Sequence, residues 1–208
     1  MASELRRIGP DDLRAALAER EPGVLLTGVP ARPRDAAVLA PFYVDDDGEL
    51  TVVLTRRSPR LRSHTHQVSF PGGSRDEGEE LVETALREAE EEVALDPTTV
   101  EIVGELDRLH TYTSGSMIVP FVGLLPGRPE LVPSPAEVER IIHVAVSELT
   151  SDEVHREEIW PFPEAGERPV HFFELDGDTV WGATAAMLRQ LLLTVYGLPE
   201  TSPHPLTP

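Results

Sequence analysis

Three glutamates in one predicted helix carry the clearest chemical signal in this sequence. Glu88, Glu91 and Glu92 stand at positions i, i+3 and i+4, so a helix brings them within about one turn on a shared face. Glu83 and Glu90 fall on the far side, where water is the expected partner. The packed face of the helix is predicted from apolar residues at helical spacing, namely Leu81, Val82, Ala85, Leu86, Ala89 and Val93.

Carboxylates on one flank of a helix repel each other, and two readings account for them here. A divalent cation such as Mg²⁺ or Mn²⁺ offsets the repulsion, because it prefers oxygen ligands and binds through carboxylates together with substrate phosphates. The alternative is a solvated helix face without a ligand. The residues upstream of the helix favour the cation.

Those residues complete a long gapped pattern. Gly73 is followed after five residues by Glu79 and after seven more by the run from Arg87 to Leu95. This pattern closely resembles the Nudix box, in which Ala89 is a small occupant of an apolar position and Ala94 replaces the final glycine. Glycine suits the left-handed geometry at a helix end. We therefore expect Ala94 to shift the helix terminus without removing a ligand.

A second motif abuts the first on its N-terminal side. The segment 53–73 resembles the additional motif of the coenzyme A pyrophosphatase branch of Nudix hydrolases, with Val53 in place of the first leucine and His66 in place of a glycine. By resemblance, the substrate-binding candidates are Arg57, Arg62, His66, Gly72 and Gly73. A metal pair of His64 and His66 is a weaker alternative. The matching positions are Leu54, Thr55, Arg57, Ser58, Arg62, Phe70, Pro71, Gly72 and Gly73.

The resemblance implies a fold and a division of roles. The fold is a Nudix α/β/α sandwich with a mixed sheet between helices. Arg87 is expected to orient carboxylates by pairing with Glu79 or Glu91, and Glu88 and Glu137 are both candidates for the general base. For Glu137, completing the metal shell and a solvated loop position are the alternatives. The implied ligands of Mg²⁺ or Mn²⁺ are Glu88, Glu91, Glu92 and the Gly73 carbonyl.

The same resemblance implies hydrolysis of a pyrophosphate bond. With coenzyme A as substrate, the products are adenosine 3′,5′-bisphosphate and 4′-phosphopantetheine. Two alternatives stay open: a Nudix hydrolase of a dinucleotide or nucleotide sugar, and a catalytically silent Nudix domain that binds a ligand.

Composition limits the other possibilities. The chain has 208 residues, a net charge of −19 and no cysteine. The charge argues against nucleic acid as a partner, and the absence of cysteine excludes disulfides and thiolate chemistry. No apolar run reaches about 18 residues, and no basic region precedes an apolar stretch at the N-terminus. We expect a cytoplasmic protein that does not bind membranes.

Periodicity predicts one domain over residues 1–200 and a disordered tail at 201–208. Residues 1–34, with a helix at 11–19, are expected to pack against the core or a homodimer partner. Strands are predicted at 36–44, 50–55, 100–111, 117–125 and 141–146, with Pro120 indicating an edge or a bulge. The remaining predictions are a solvated helical run containing Glu153, Glu157 and Glu158, a hairpin at 170–181 turning at Asp176–Gly177, and a helix at 182–196.

Overall fold

The computed structural model describes residues 6–18, 20–25, 34–61, 65–111, 115–151, 153–162 and 166–199. Its helices are α1 (Pro10–Ala18), α2 (Leu81–Val93), α3 (Val146–Leu149) and α4 (Gly182–Tyr196), and Pro97–Thr99 form a short 3₁₀ turn. Its strands are β1 (Val24–Leu25), β2 (Arg34–Val44), β3 (Leu50–Arg57), β4 (Val68–Ser69), β5 (Gly72–Ser74), β6 (Glu101–Glu105), β7 (Arg108–His110), β8 (Ser116–Leu124), β9 (Val138–Ala145), β10 (His155–Phe162), β11 (Gly166–Leu175) and β12 (Asp178–Trp181).

Within these residues the strands form two sheets. Nine strands build a mixed sheet in the order β1-β7-β8-β2-β3-β4, in which β5 also pairs with β2, β6 with β8, and β9 with β3. The central pair, β2 and β8, runs parallel, whereas β3 and β9 run antiparallel. A smaller antiparallel sheet has the order β10-β11-β12.

Successive side chains on a strand point to opposite faces of the sheet, so alternating residues of β2 belong to two hydrophobic layers, one on each face. Ala37 and Leu39 pack with Ala85 and Ala89 of α2. Residues of opposite parity, such as Val38, pack in the second layer with residues of α1, α4 and the smaller sheet. The mixed sheet thus lies between helices, and the predicted α/β sandwich is confirmed.

The N-terminal helix and the C-terminal hairpin and helix also agree with prediction. Leu13 and Leu17 of α1 are buried in the second layer, so this helix packs against the core. The hairpin of β11 and β12 turns at Asp176–Gly177, where Gly177 has a φ of 75°. The helix α4 spans the predicted residues.

The prediction of a single strand at 100–111 is wrong. The structure has two strands, β6 and β7, which are separated by Leu106 and Asp107. Asp107 is buried, and its carboxylate accepts hydrogen bonds from Gly23 N at 2.6 Å and from Gln190 Nε2 at 2.5 Å. A buried carboxylate needs such donors, which a continuous ladder would not supply. Pro120 lies opposite this break, where its carbonyl accepts from Leu106 N at 2.9 Å. Its strand β8 is interior, so the edge placement is wrong.

The predicted helical run with Glu153, Glu157 and Glu158 is also wrong. Glu157 and Glu158 lie in β10, which pairs with β11 along its whole length, and Glu153 lies in a turn. Both glutamates are exposed, so the expected solvation holds although the secondary structure differs. Antiparallel pairing with the next strand, β11, overrode the local charge pattern.

None of the helices that the structure describes is long and apolar enough to cross a membrane.

Candidate active site

Three carboxylates from two segments meet beside α2. Glu88 and Glu92 of α2 and Glu137, just before β9, each bring one oxygen atom into a group whose members all lie within 4.8 Å of one another. Glu92 is only 2% exposed, and its Oε2 has no hydrogen-bond partner. These three residues are called the carboxylate triangle below. A hard divalent cation fits this arrangement. Its positive charge would offset the repulsion between the carboxylates, and it would give the unpartnered oxygen of Glu92 an interaction partner.

The electrostatics of the triangle point the same way. Burial raises the pKa of Glu92 to about 8, and the charges of Glu88 and Glu137 add to the rise, while Arg57 and the Gly72 N–H oppose it. Burial also raises the pKa of Glu88, against the effect of Arg87. The triangle therefore holds a proton at neutral pH unless another cation replaces it.

Arg87 connects the carboxylates along the outer flank of α2. Its Nε and Nη2 donate to the two oxygens of Glu79 at 2.9 and 3.2 Å, and its Nη1 donates to Glu88 Oε1 at 3.0 Å and Glu91 Oε2 at 3.2 Å. Arg87 is the main reason why the pKa of Glu79 falls to about 2. Arg87 thus pairs with both predicted partners, and its position fixes the orientation of Glu88.

Glu91 does not join the triangle. Its side chain is 55% exposed and accepts the hydrogen bond from Arg87 on the solvent side. The structure therefore brings together Glu88, Glu92 and the distant Glu137, whereas the role of Glu91 as a metal ligand stays a prediction.

Two glycines allow the chain to approach this site. A Cβ atom at Gly73 would lie 2.4 Å from Glu88 Oε1, and one at Gly72 would lie 2.4 Å from the carbonyl oxygen of Ala37. Any side chain at either position would displace the backbone or the carboxylate. Whether the Gly73 carbonyl binds the cation stays a prediction.

The arginines of the upstream motif diverge at the end of β3. Arg57 points towards the triangle, with its Nη1 3.8 Å from Glu92 Oε1. Arg56 points to the opposite face, where it pairs with Asp178 at 3.1 Å and contacts His66 Nδ1 at 3.2 Å. Arg62 and His64 lie outside the described residues.

His66 occupies a special backbone position. Its φ is 61°, in the left-handed region that favours glycine, and its Nδ1 lies 3.1 Å from Glu139 Oε2. The glycine of the motif is thus explained by backbone conformation, and the imidazole of His66 contacts Arg56 and Glu139 on the face opposite Arg57.

Ala94 occupies the corresponding position at the end of α2. It has φ 56° and ψ 32°, and the N–H of Leu95 donates to Ala89 O at 3.4 Å, as in a glycine-terminated helix. The expected shift of the helix terminus is therefore wrong, because alanine adopts the left-handed conformation itself.

Comparison with known proteins agrees with this geometry. The family model of the NUDIX domain matches residues 33–165. The chain belongs to the Nudix family. It is 39% identical over 178 residues to "Nudix hydrolase 22, chloroplastic" of Arabidopsis thaliana, covering 81% of this chain and 57% of that protein. It is 39% identical over 160 residues to "Uncharacterized Nudix hydrolase NudL" of Photorhabdus laumondii, covering 76% of this chain and 83% of that one.

Solved structures show the same fold at low identity. DR0079 of Deinococcus radiodurans aligns with a TM-score of 0.51 and 17% identity over 80% of this chain and 90% of that one. A MutT/nudix family protein of Enterococcus faecalis has a TM-score of 0.51 and 14% identity over 83% of this chain and 71% of that one.

One member of the Nudix site was not assigned a role from the sequence. Thr84 is fully buried, and its hydroxyl donates to Glu79 Oε2 at 2.7 Å. It therefore helps to hold the partner of Arg87. A polar residue on the packed face of α2 was the signal that could have indicated it.

Metal binding by the triangle should depend on pH. Because a metal ligand must be deprotonated and the pKa of Glu92 is about 8, a proton competes with the cation below that pH. We expect the apparent Kd for Mn²⁺ to rise by up to about tenfold per pH unit below pH 8. Titration calorimetry in buffers of different protonation enthalpy should show about one proton released per Mn²⁺ at pH 7. A Kd that stays constant between pH 8 and pH 6 would contradict this assignment.

Gly73→Ala should impair the same site by steric contact. The new Cβ would displace the Glu88 carboxylate, so we expect Mn²⁺ affinity to fall by about 10- to 100-fold. Gly127→Ala is the matched control, because a Cβ there meets nothing within 4 Å. If Gly73→Ala binds Mn²⁺ as tightly as the wild type, the close approach of position 73 to the Glu88 carboxylate is not needed for cation binding.

Proposed function

We propose that this Nudix domain hydrolyses the pyrophosphate bond of coenzyme A or its derivatives, with Mg²⁺ or Mn²⁺ as cofactor. The products are adenosine 3′,5′-bisphosphate and 4′-phosphopantetheine. The supporting observation is that Arg57, from the upstream motif, lies 3.8 Å from Glu92 of the carboxylate triangle. The segment that resembles a coenzyme A motif and the helix of the Nudix box therefore share one site.

The triangle is the proposed cation site, with Glu88 and Glu92 as ligands. When bound there, a divalent cation neutralises phosphate oxygens and lowers the pKa of an attacking water. Gly73 contributes its carbonyl from β5, and Glu91 approaches from the solvent side. Arg57, together with Arg62, His66 and Gly72, is proposed to bind the substrate, and a guanidinium group suits a phosphate through its paired N–H donors.

Glu137 is the better candidate for the general base. Arg87 donates to Glu88 Oε1 and so occupies an oxygen that would otherwise accept the proton, whereas no basic side chain in the described residues pairs with Glu137. In the proposed step the water oxygen forms a bond to one phosphorus, and the bond from that phosphorus to the bridging oxygen breaks. One proton of the water passes to Glu137, and the leaving group departs as a phosphate anion.

The position of His66 bears on the choice of substrate. A dinucleotide or nucleotide sugar would be favoured if His66 blocked the site of the adenosine 3′-phosphate. In the structure the imidazole contacts Arg56 and Glu139, and relative activity on the two substrate classes decides between them.

Product chromatography tests the reaction and the substrate together. The protein is incubated with coenzyme A and Mg²⁺ or Mn²⁺, beside a panel of dinucleotides and nucleotide sugars. We expect preferential cleavage of coenzyme A to the two named products. If the protein cleaves compounds of the panel but not coenzyme A, the proposed substrate is wrong and the proposed hydrolysis of a pyrophosphate bond stands. No metal-dependent turnover on any substrate would instead indicate a binding module.

Glu91→Gln should lower kcat by orders of magnitude if Glu91 completes the cation site in the presence of substrate. The change keeps the size of the side chain, and the exposed position of Glu91 should leave the fold intact. Glu90→Gln is the matched control, since Glu90 is exposed on the same helix outside the Nudix pattern. Near-normal turnover of Glu91→Gln would remove this residue from the site.

A further inference from the structure

Ser58 connects residues 57–61, called the arginine-bearing segment below, to the carboxylate triangle. It follows β3 directly, is 2% exposed, and donates its backbone N–H to the carbonyl of Glu137 at 2.7 Å. Its own carbonyl accepts from Leu61 N at 3.3 Å, and its hydroxyl accepts from Arg60 N at 3.3 Å. Ser58 therefore belongs to the turn that begins the arginine-bearing segment and to the backbone that carries Glu137.

A bulge in β9 creates this neighbour relation. Arg56 pairs with Arg140 and Arg57 pairs with Val138, so Glu139 is an extra residue on β9. Without it, Ser58 would lie opposite Val138, and Glu137 would extend beyond the pairing. The bulge brings Glu137 beside Ser58, as bulges elsewhere re-aim side chains near active sites.

The other side of the Glu137 segment is fixed to α2. Ser134 N donates to the carbonyl of Glu92 at 2.8 Å, and Val132 N donates to the carbonyl of Val93 at 2.9 Å. Glu137 N in turn donates to Ser134 O at 3.0 Å. Glu137 is thus held between the last turn of α2 and Ser58.

Adjacent residues of one segment therefore reach two members of the triangle. Arg57 lies near the Glu92 carboxylate, and Ser58 holds the Glu137 backbone. A shift of this segment would therefore move the backbone of Glu137, and a cation held in the triangle beside Glu137 would restrict the segment. Such coupling is reciprocal in free energy.

We propose that Ser58 is a positioning residue that couples cation binding at the triangle to the order of residues 57–61. Through this contact, cation binding prepares the arginine-bearing segment for the substrate, and substrate binding tightens the hold on the cation. The proposal rests on the proposed function only in assigning a divalent cation to the triangle. It does not require coenzyme A as the substrate.

Hydrogen exchange of the unsubstituted protein tests the coupling directly. We expect saturating Mg²⁺ to slow exchange of peptides covering residues 57–61 by at least about threefold. Peptides from α1, which packs in the hydrophobic layer on the other side of the sheet from α2, serve as an internal reference and should not change. Glu137→Gln should abolish the effect at residues 57–61. Slowing confined to α2 and residues 72–74 would overturn the proposal.

A pair of substitutions at Ser58 separates the backbone donor from the side chain. Ser58→Pro removes the N–H, whereas Ser58→Ala keeps it. We expect Ser58→Pro to weaken Mn²⁺ binding by about tenfold, as for one lost hydrogen bond, and Ser58→Ala to stay within about twofold of wild type. Equal Mn²⁺ affinity in Ser58→Pro and wild type would refute the role.

The double variant Ser58→Pro/Glu137→Gln distinguishes coupling from general damage. If Ser58 acts through Glu137, Mn²⁺ binding should be no weaker than in Glu137→Gln alone. Additive weakening would contradict the proposal. If Ser58→Pro fails to fold, the exchange experiment on the wild type still decides. Failure to cleave coenzyme A would refute the proposed substrate but leave these metal-binding results unaffected.

Discussion

The site depends on a carboxylate that is placed where its charge is poorly solvated. Glu92 is buried against the sheet, close to Glu88 and Glu137, and one of its oxygens has no hydrogen-bond partner. An isolated arrangement of this kind is costly, because low local polarity strengthens repulsion and leaves the orphaned oxygen uncompensated. The neighbouring features can be understood as responses to that cost. Arg57 approaches Glu92 from β3, and Arg87 neutralises the outer carboxylates. The proposed divalent cation would complete the compensation, and its charge would also be available to a phosphate substrate.

The backbone around the triangle is shaped by the same constraint. Gly72 and Gly73 let β5 lie against β2 and Glu88 without the atoms of a side chain between them. The loop that carries Glu137 donates two backbone N–H groups to the carbonyls of Glu92 and Val93. These carbonyls belong to the last turn of α2, where carbonyl groups have no N–H donor within the helix. Capping the helix and placing the third carboxylate are therefore achieved by one segment. This explains why a residue 45 positions after Glu92 lies beside it.

Much of this arrangement could be predicted because its determinants are local or belong to long sequence patterns. The periodicity of α2 placed Glu88 and Glu92 on one flank, and resemblance added Glu137 and the pairing of Arg87 with Glu79. Glu91 was expected both as a metal ligand and as a partner of Arg87, and helical spacing does not separate these roles; in the structure its carboxylate accepts from Arg87. The failures at β10 and at the break before β7 have a related cause. The charge pattern of residues 153–158 does not reveal the hairpin that β10 forms with β11, and the buried network of Asp107 depends on Gln190, which lies far away in the sequence.

The two positions at which a motif glycine is replaced have a common structural explanation. His66 and Ala94 both replace motif glycines, and among the described residues these are the non-glycine residues with positive φ. The glycines of both motifs therefore serve the backbone at these positions, since a residue with a Cβ atom pays about 1–2 kcal/mol for the left-handed conformation. His66 recovers part of that cost through its contacts with Glu139 and Arg56, whereas Ala94 ends the helix in the geometry that glycine would adopt. Both substitutions thus bear on stability. Neither removes a group from the carboxylate triangle, because at both positions the motif glycine supplies a backbone conformation and no side chain.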